Sequence, residues 1–295
     1  MSQVDKASDA AGVTTVISAA RPAVWNFLSP VQLVRGLLAH RHLIREFTVR
    51  EIVGRYKGAR LGLLWSMVNP LLMLAVYTFV FSVVFKAKWG LTGGDSRIEF
   101  ALTMFCGMVV YQVFAECAGR APVLIVSNTS FVKRTVFPLE ILPIAVLGAA
   151  LFHAAVSLLI LIVGAGIAVQ STSLTLVCLP IVLLPVALLG LGFGWLLASL
   201  GVFIRDVGQV IGVLLQVLFF MTPIFYPLSA VPQRFRWVLR INPLTEVVTN
   251  ARRAVLWGAW PDWAALGVVT VVAAAIAQLG YAWFMKTKRG FADVL

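Results

Sequence analysis

Long apolar runs separated by short charged segments dominate this sequence, and they predict an all-α integral membrane protein. An α-helix needs about 20 mostly apolar residues to cross the hydrocarbon layer of a bilayer. Six stretches meet or approach that length, and we predict that each forms a transmembrane helix. The predicted spans are residues 62–85, 100–118, 139–169, 174–203, 207–225 and 263–285.

The segments outside these spans complete the predicted domain organisation. Residues 1–32 are expected to form a variable cytoplasmic tail without a cleavable signal peptide. Residues 33–61 mix apolar and basic side chains at a spacing near three or four, which is typical of an amphipathic helix on the inner membrane surface. A small soluble cap is the alternative. Residues 62–285 are the six-helix membrane domain, and residues 286–295 are a cytoplasmic tail.

The long loop after the fifth predicted span, residues 227–262, carries apolar side chains among charges. A residue before proline disfavours helical geometry, so Asn242 followed by Pro243 predicts a break. We therefore expect two short amphipathic helices on either side of this dipeptide.

Composition and charge support a membrane protein rather than a nucleic-acid binder. Hydrophobic residues make up 60% of the chain and charged residues 12%, whereas a soluble domain has roughly 45–50% and about 25%. The net charge is +12, and 16 of the 24 Lys and Arg residues fall on the side assigned to the cytoplasm. This asymmetry agrees with the positive-inside rule and places both termini in the cytoplasm.

The sequence lacks the motifs of common enzymes. It contains no GxxxxGK[ST] phosphate loop, HExxH, CxxC or GxSxG, so we expect no catalytic, cofactor-binding or metal-binding residue and no ATP hydrolysis by this chain alone. No acidic residue is clearly central in a span, which argues against an ion-coupled carrier. His153 lies within a span, where a hydrogen bond between helices is expected rather than catalysis.

Four stretches together resemble the permease subunit of type-2 ABC transporters that export polysaccharides such as O-antigen, capsule and teichoic acid. The stretches begin with YKGARLGLLWSMVNP at residue 56, SNTSFVKRTVFPLE at 127, FIRDVGQVIGVLLQ at 203 and INPLTEVVTNARRAV at 241. Their order and spacing cover most of the chain from about residue 41 onward. The alternatives are a type-2 permease for a drug or a lipid and a membrane-embedded enzyme that acts on lipid-linked sugars.

The resemblance implies a permease of the bacterial inner membrane that forms a homodimer and binds two copies of a separate ABC ATPase. ATP and Mg²⁺ would bind to that partner. The substrate implied is a lipid-linked polysaccharide, and membrane lipids surround the helices. The resemblance also implies a coupling helix between spans two and three and short periplasmic gate helices between spans five and six.

Two sets of polar residues are predicted to act on the cytoplasmic side. Docking of the ATPase is assigned to the 119–138 loop, where an aromatic knob with flanking cations would fit a groove, and to the turn after span four. The alternatives are an ordinary basic loop and an Arg205–Asp206 pair that only braces the turn. These residues are Asn128, Phe131, Lys133, Arg134, Arg205 and Asp206. The substrate is predicted to enter beside Arg55, Tyr56, Lys57 and Arg60, whose cations suit either a substrate phosphate or lipid headgroups.

Two further sets of residues are predicted to lie along the path of the substrate. Aromatic rings stack on the apolar C–H faces of sugars, so we expect Tyr77, Phe81 and Tyr111 to include at least one ring that faces the channel. The alternative is packing against lipid. Pro223, Phe225, Tyr226 and Arg240 are predicted to form the periplasmic gate, because proline permits a bend near the end of span five. The alternatives are a helix end at Pro223 and contact of Arg240 with lipid headgroups.

Overall fold

A computed structural model describes residues 29–80, 97–133, 137–168 and 174–295 of the protein. All regular secondary structure within these ranges is helical, which confirms the predicted all-α class. Twelve α-helices occur in the described ranges: α1 (Pro30–Ala39), α2 (Arg41–Tyr56), α3 (Trp65–Tyr77), α4 (Arg97–Leu124), α5 (Thr129–Val132), α6 (Ile141–Ala168), α7 (Leu179–Phe203), α8 (Val207–Met221), α9 (Arg236–Ile241), α10 (Pro243–Val255), α11 (Trp263–Thr287) and α12 (Phe291–Val294).

Short 3₁₀ turns lead into or follow several of these helices. They are Gly62–Leu64, Val126–Asn128, Leu174–Cys178, Leu228–Ala230, Gln233–Phe235 and Lys288–Gly290.

Five helical segments in the described ranges are long and apolar enough to cross a membrane. They are Gly62–Val80, Ile98–Leu124, Ile141–Ile167, Leu174–Phe203 and Trp263–Val294. Each overlaps a predicted span, although the second continues six residues beyond the predicted end at residue 118. The remainder of the first predicted span, from residue 81 onward, lies outside the described residues.

The fifth predicted span, residues 207–225, is wrong in its extent. Helix α8 has only 15 residues and ends at Met221, short of the length that crosses a bilayer. Thr222 is extended, with ψ of 133°, because it precedes Pro223, and a residue before proline avoids helical geometry. Residues 222–226 therefore continue the chain in a non-helical conformation.

The predicted surface helix, residues 33–61, is two helices that meet at His40. Helix α2 packs against α6, yet none of its residues is fully buried. Several apolar side chains of α1 and α2 are exposed, including Val31, Leu38 and Val49. Their exposure is compatible with the predicted position on a membrane surface.

The C-terminal residues pack against the helical bundle, although we predicted a tail. Helix α11 continues to Thr287, and the short α12 follows it after one 3₁₀ turn. The ring of Phe291 is fully buried, 5.4 Å from the ring of Phe284 and 5.9 Å from that of Phe203. Lys288 Nζ lies 2.6 Å from Glu140 Oε2, which connects this end of the chain to the start of α6.

Helix α4 is central to the core, with α6, α7 and α10 packed around it. The most extensive contact joins α7 and α11, where Gly192 lies against the backbone of Ile276 and Ala277 and Gly280 lies against that of Gly192. A Cβ atom on Gly280 would lie 2.2 Å from the carbonyl oxygen of Gly192, so only glycine permits this approach. By contrast, α3 and α8 expose most of their apolar side chains.

Candidate functional site

A cavity of about 520 Å³ opens between α2 and the last turns of α4, and its lining is strongly basic. The lining residues are Arg50, Glu51, Gly54, Arg55, Lys57 and Arg120. We call it the cationic cavity. It contains four cations against one lining carboxylate, with a second carboxylate, Glu116, directly behind them. The arrangement suits an anionic group with several oxygen atoms.

Helical spacing brings these charges together. Glu51 and Arg55 are four residues apart on α2, and Glu116 and Arg120 are four residues apart on α4, so each pair shares one face of its helix. Where the two helices meet, Arg55 Nη1 donates to Glu116 Oε1 at 2.7 Å, and Arg120 donates to Glu51. These two ion pairs, each between a residue of α2 and a residue of α4, hold α2 against the core.

Glu116 is the buried centre of this cluster, with 3% of its side chain exposed. Arg120 Nη1 lies 3.8 Å from the same oxygen that accepts from Arg55, and His153 Nδ1 lies 3.5 Å from the other oxygen. His153 Nδ1 is also 2.9 Å from Arg55 Nη1, which confirms the predicted hydrogen bond between helices. His153 Nε2 is buried without a hydrogen-bond partner among the described residues.

Of the residues predicted where the substrate enters, Arg55 and Lys57 line the cationic cavity. The edge of the Tyr56 ring packs on His153, with ring centroids 5.9 Å apart. Burial raises the pKa of the Tyr56 phenol, and the nearby Arg55 partly opposes this, so the phenol stays neutral at physiological pH. Arg60 is exposed and does not line the cavity.

The predicted docking loop also packs against α2. Asn128 ends the 3₁₀ turn before α5, and its Oδ1 accepts from Arg50 Nη2 at 3.4 Å. The ring of Phe131 stacks on Phe137 at 4.6 Å and lies 5.4 Å from Phe47. Phe131 therefore packs within the chain, whereas we had expected an aromatic knob that projects towards a partner.

Arg50 connects the loop to the cationic cavity. Its guanidinium lies 5.3 Å from the Phe47 ring centroid and 5.6 Å from that of Phe131, within the range of cation–π contacts. The same side chain lines the cavity. Movement of the loop and occupation of the cavity would thus act on one guanidinium group.

The other predicted docking residues are on the surface or undescribed. Lys133 is exposed at the end of α5, and Arg134 lies outside the described residues. Arg205 and Asp206 are both exposed in the turn between α7 and α8, and no ion pair joins them. Asp206 is the residue before α8, although its side chain does not cap the helix.

Two of the predicted channel rings, Tyr77 and Tyr111, are connected through the gate residue Phe225 and its neighbour Phe219. Tyr77 lies 6.4 Å from Phe225, Phe225 lies 5.0 Å from Phe219, and Phe219 lies 5.1 Å from Tyr111. The Tyr111 ring is buried, and its hydroxyl donates to the carbonyl of Leu215 on α8. The structure therefore places Tyr111 between two helices. Phe81 lies outside the described residues.

The gate residues occupy the non-helical segment after α8 and the helix that follows it. Pro223 is buried, Phe225 is half-buried, and the Tyr226 hydroxyl donates to the carbonyl of Phe220 at 2.7 Å. Arg240 is exposed near the end of α9. The predicted helix break is confirmed, because α9 ends at Ile241 and the Asn242 side chain accepts from Leu244 N at 3.0 Å at the start of α10.

Sequence reasoning missed the acidic half of the cluster and one buried arginine. Glu51, Glu116 and Arg120 carried a detectable signal, since one Glu–Arg pair at a spacing of four precedes the first predicted span and another lies at the end of the second. No pattern in the local sequence indicated that Arg252 is buried, because its burial depends on residues far away in the chain. Within the described ranges, no group of three or more His, Cys, Asp and Glu side chains is arranged to hold a metal ion.

Known proteins match nearly the whole chain. The model of the family described as ABC-2 type transporter matches residues 42–256. An O-antigen export system permease protein, RfbA, of Klebsiella pneumoniae is 24% identical over 254 residues, which cover 86% of this chain and 95% of the relative. RfbA of Myxococcus xanthus is 27% identical over 266 residues, covering 89% and 99%.

A third relative matches over a shorter range. The polysialic acid transport protein KpsM of Escherichia coli is 27% identical over 226 residues, which cover 76% of this chain and 84% of the relative. The family match spans most of the chain, including α2, the cationic cavity, the loop at residues 125–133 and α10. The chain is therefore a member of the ABC-2 type transporter family of membrane proteins.

Proposed function

We propose that this chain is the permease subunit of an ATP-driven exporter that moves a lipid-linked polysaccharide, such as O-antigen, across the bacterial inner membrane. The similarity to proteins named for O-antigen export and polysialic acid transport, over 76–89% of this chain, carries the proposal. The cationic cavity supports it independently, because a polysaccharide built on a lipid carrier ends in a phosphate or pyrophosphate.

In this proposal the cationic cavity receives the phosphate groups that join the sugar to its lipid. Arg50, Lys57 and Arg120 offer charged donors around an open cavity, and arginine suits phosphate because its planar donors bind two oxygens at once. The cavity lies at the start of the segment that leads into α3. A lipid tail in the bilayer and a phosphate in the cavity would then be held together at one membrane surface.

The energy for transport comes from a separate ATPase that binds ATP and Mg²⁺. Two permease chains and two ATPases form the transporter, and the loop that carries Asn128 and Lys133, with the turn at Arg205 and Asp206, receives the ATPase movement. α8 and the non-helical residues 222–226 that continue it form the fifth of six membrane crossings, and both termini lie in the cytoplasm. The permease itself forms no covalent bond with the substrate.

The polymer passes along the aromatic rings of α3, α4 and the segment after α8. Rings such as Tyr77 and Phe225 can stack on the C–H faces of many sugars without recognising one pattern of hydroxyl groups. This suits a chain that must slide. The segment that contains Pro223, Phe225 and Tyr226, together with α9 and Arg240, forms the periplasmic gate in this proposal.

Deletion of the gene tests the proposed function. Cells without this chain should accumulate lipid-linked polysaccharide on the cytoplasmic side and lose it from the surface, and the wild-type gene should restore surface polymer. The location of the polymer is measured by accessibility to a polysaccharide-specific antibody before and after the cells are permeabilised. Unchanged surface polysaccharide in the deletion strain would refute the proposal.

A further inference from the structure

Arg252, on α10, is a buried cation that does not belong to the cationic cavity. Only 3% of the residue is exposed. Its Nε donates to the carbonyl of Thr103 on α4 at 3.0 Å, its Nη1 to the carbonyl of Pro223 at 2.8 Å and its Nη2 to the carbonyl of Ile224 at 2.9 Å. One side chain thus connects α10 to both α4 and the segment that follows α8.

The two carbonyls after α8 need such a donor. Residues 222–226 have left the helix, and both Pro223 and Ile224 are buried, so their carbonyl oxygens are removed from water. The guanidinium presents two parallel donors that reach adjacent carbonyls at once. Burial lowers the pKa of Arg252 to about 10, which leaves the group charged at neutral pH.

The surroundings of Arg252 are built to accept it. A Cβ atom on Gly107 of α4 would lie 2.8 Å from Arg252 Nη2 and 3.3 Å from Val248 Cγ1. Glycine at this position therefore leaves the space that the guanidinium occupies. A second bond supports the same segment, since Asn242 Nδ2 donates to Thr222 Oγ1 at 2.9 Å.

The segment held by Arg252 carries the rings of the proposed gate. Phe225 follows directly and contacts Phe219 of α8 and Tyr77 of α3. This region lies far from the cationic cavity, because Thr103 and Glu116 are 13 residues apart on α4, or about 20 Å along a helix that rises about 1.5 Å per residue. Arg252 and the cavity therefore occupy opposite ends of α4.

We propose that Arg252 is a positioning residue for transport, which holds the segment after α8 against α4 and α10 so that Phe225 meets Tyr77 across the path. The inference rests on the proposed function. It implies that the end of α8 and helix α10 move as one unit when the path opens. Arg252 itself does not touch the substrate.

The test uses the full chain produced together with its ATPase in cells that lack the native gene. Arg252→Gln removes the charge and most of the donors, whereas Arg252→Lys keeps the charge with fewer donors. Gly107→Ala displaces the guanidinium without changing its charge. The matched control is Arg253→Gln, one residue further on α10, where Arg253 is half-buried and donates to the carbonyl of Trp260 at 3.0 Å.

Three quantities are measured for each variant: the yield of assembled complex, the basal ATPase rate and the amount of surface polysaccharide. We expect Arg252→Gln and Gly107→Ala to lower export about tenfold, the effect of losing charge-assisted hydrogen bonds to buried carbonyls, while yield and basal ATPase rate stay within about twofold of wild type. Arg252→Lys should recover part of the export, and Arg253→Gln should behave as wild type.

Two results would overturn the inference. One is export by Arg252→Gln equal to that of Arg253→Gln. The other is a loss of complex yield in both Arg252→Gln and Gly107→Ala in proportion to the loss of export, which would make Arg252 a residue for folding only. Failure of the wild-type chain to restore surface polysaccharide would instead refute the proposed function.

Discussion

Neutralising Glu116 should destabilise the junction between α2 and the core, and the structure allows the size of the effect to be worked out. Removing one partner of a fully buried ion pair costs about 3–5 kcal/mol, because the other charge stays buried without compensation. Here the carboxylate is 3% exposed, but the Arg55 and Arg120 side chains are 43% and 41% exposed. Water screens both cations, so we expect Glu116→Gln to cost about half of that range, about 2 kcal/mol.

The assay is thermal unfolding of the detergent-solubilised chain, followed by the loss of its monodisperse peak in size-exclusion chromatography. A loss of about 2 kcal/mol lowers the midpoint by about 4–8 °C for a chain of roughly this size. The control is Glu46→Gln, which removes the same charge from an exposed position on α2.

A double-mutant cycle with Arg55→Gln identifies the source of the loss. Because Arg55 and Glu116 are in direct contact, the double variant should be less destabilised than the sum of the two single variants, by about 1 kcal/mol or more. A midpoint for Glu116→Gln within about 1 °C of the Glu46→Gln control would refute the reasoning. So small a difference is what a single weak ion pair on the surface contributes. Strict additivity in the cycle would also refute it.

Three further predictions concern the cavity, the loop and the packing of α2. The double variant Arg50→Gln, Lys57→Gln should raise the substrate concentration for half-maximal export about tenfold, because both cations line the cavity. The control is Arg41→Gln with Arg45→Gln, at exposed positions of α2 outside the cavity. Equal concentrations for the two double variants would show that the cavity does not capture the substrate. Lys133→Glu should reduce co-purification of the ATPase while α2 and α6 remain folded, and unchanged recovery would exclude a docking role. Gly148→Ala should lower the melting midpoint, because the added Cβ would lie 2.7 Å from Thr48 Cγ2. Overpacking of this kind costs about 1–3 kcal/mol. The control is Gly267→Ala, where the added Cβ meets open space and the midpoint should not change.

Local signals in the sequence were sufficient for much of the fold. The apolar runs located the long helices, because the length of a membrane-spanning segment depends on its own composition. The break at Asn242 and Pro243 was predictable for the same reason, since proline acts on the residue directly before it. The same rule at Thr222 and Pro223 ends α8, which decides between the bend and the helix end that this proline allowed.

Features that depend on distant contacts could not be predicted in this way. The ring of Phe131 packs on Phe47 of α2, a contact that its position in the loop did not reveal, and its docking role stays a prediction. Arg252 was counted among the basic residues of an outer loop, because its partner Thr103 is 149 positions away and its space is provided by Gly107. Burial of a charge requires partners from several helices, and a single local pattern does not reveal them.

The cationic cavity contains residues that the local sequence indicated and residues that only distant contacts bring together. Arg55 and Lys57 were identified from a basic stretch beside the first predicted span, and both line the cavity. The stretch did not reveal that Glu116 partly neutralises Arg55 or that Arg50 and Arg120 supply further cations. The sign of the charge followed from sequence, whereas the balance of charge followed only from the packing of α2 on α4.

Transport by the reconstituted complex tests the central claim most directly. The chain and its ATPase are placed together in proteoliposomes that contain lipid-linked polysaccharide, and polymer that reaches the opposite side is measured with and without ATP. We predict delivery that requires both chains and hydrolysable ATP, with no hydrolysis by this chain alone. Delivery or ATP hydrolysis by the purified chain without the ATPase would contradict the account.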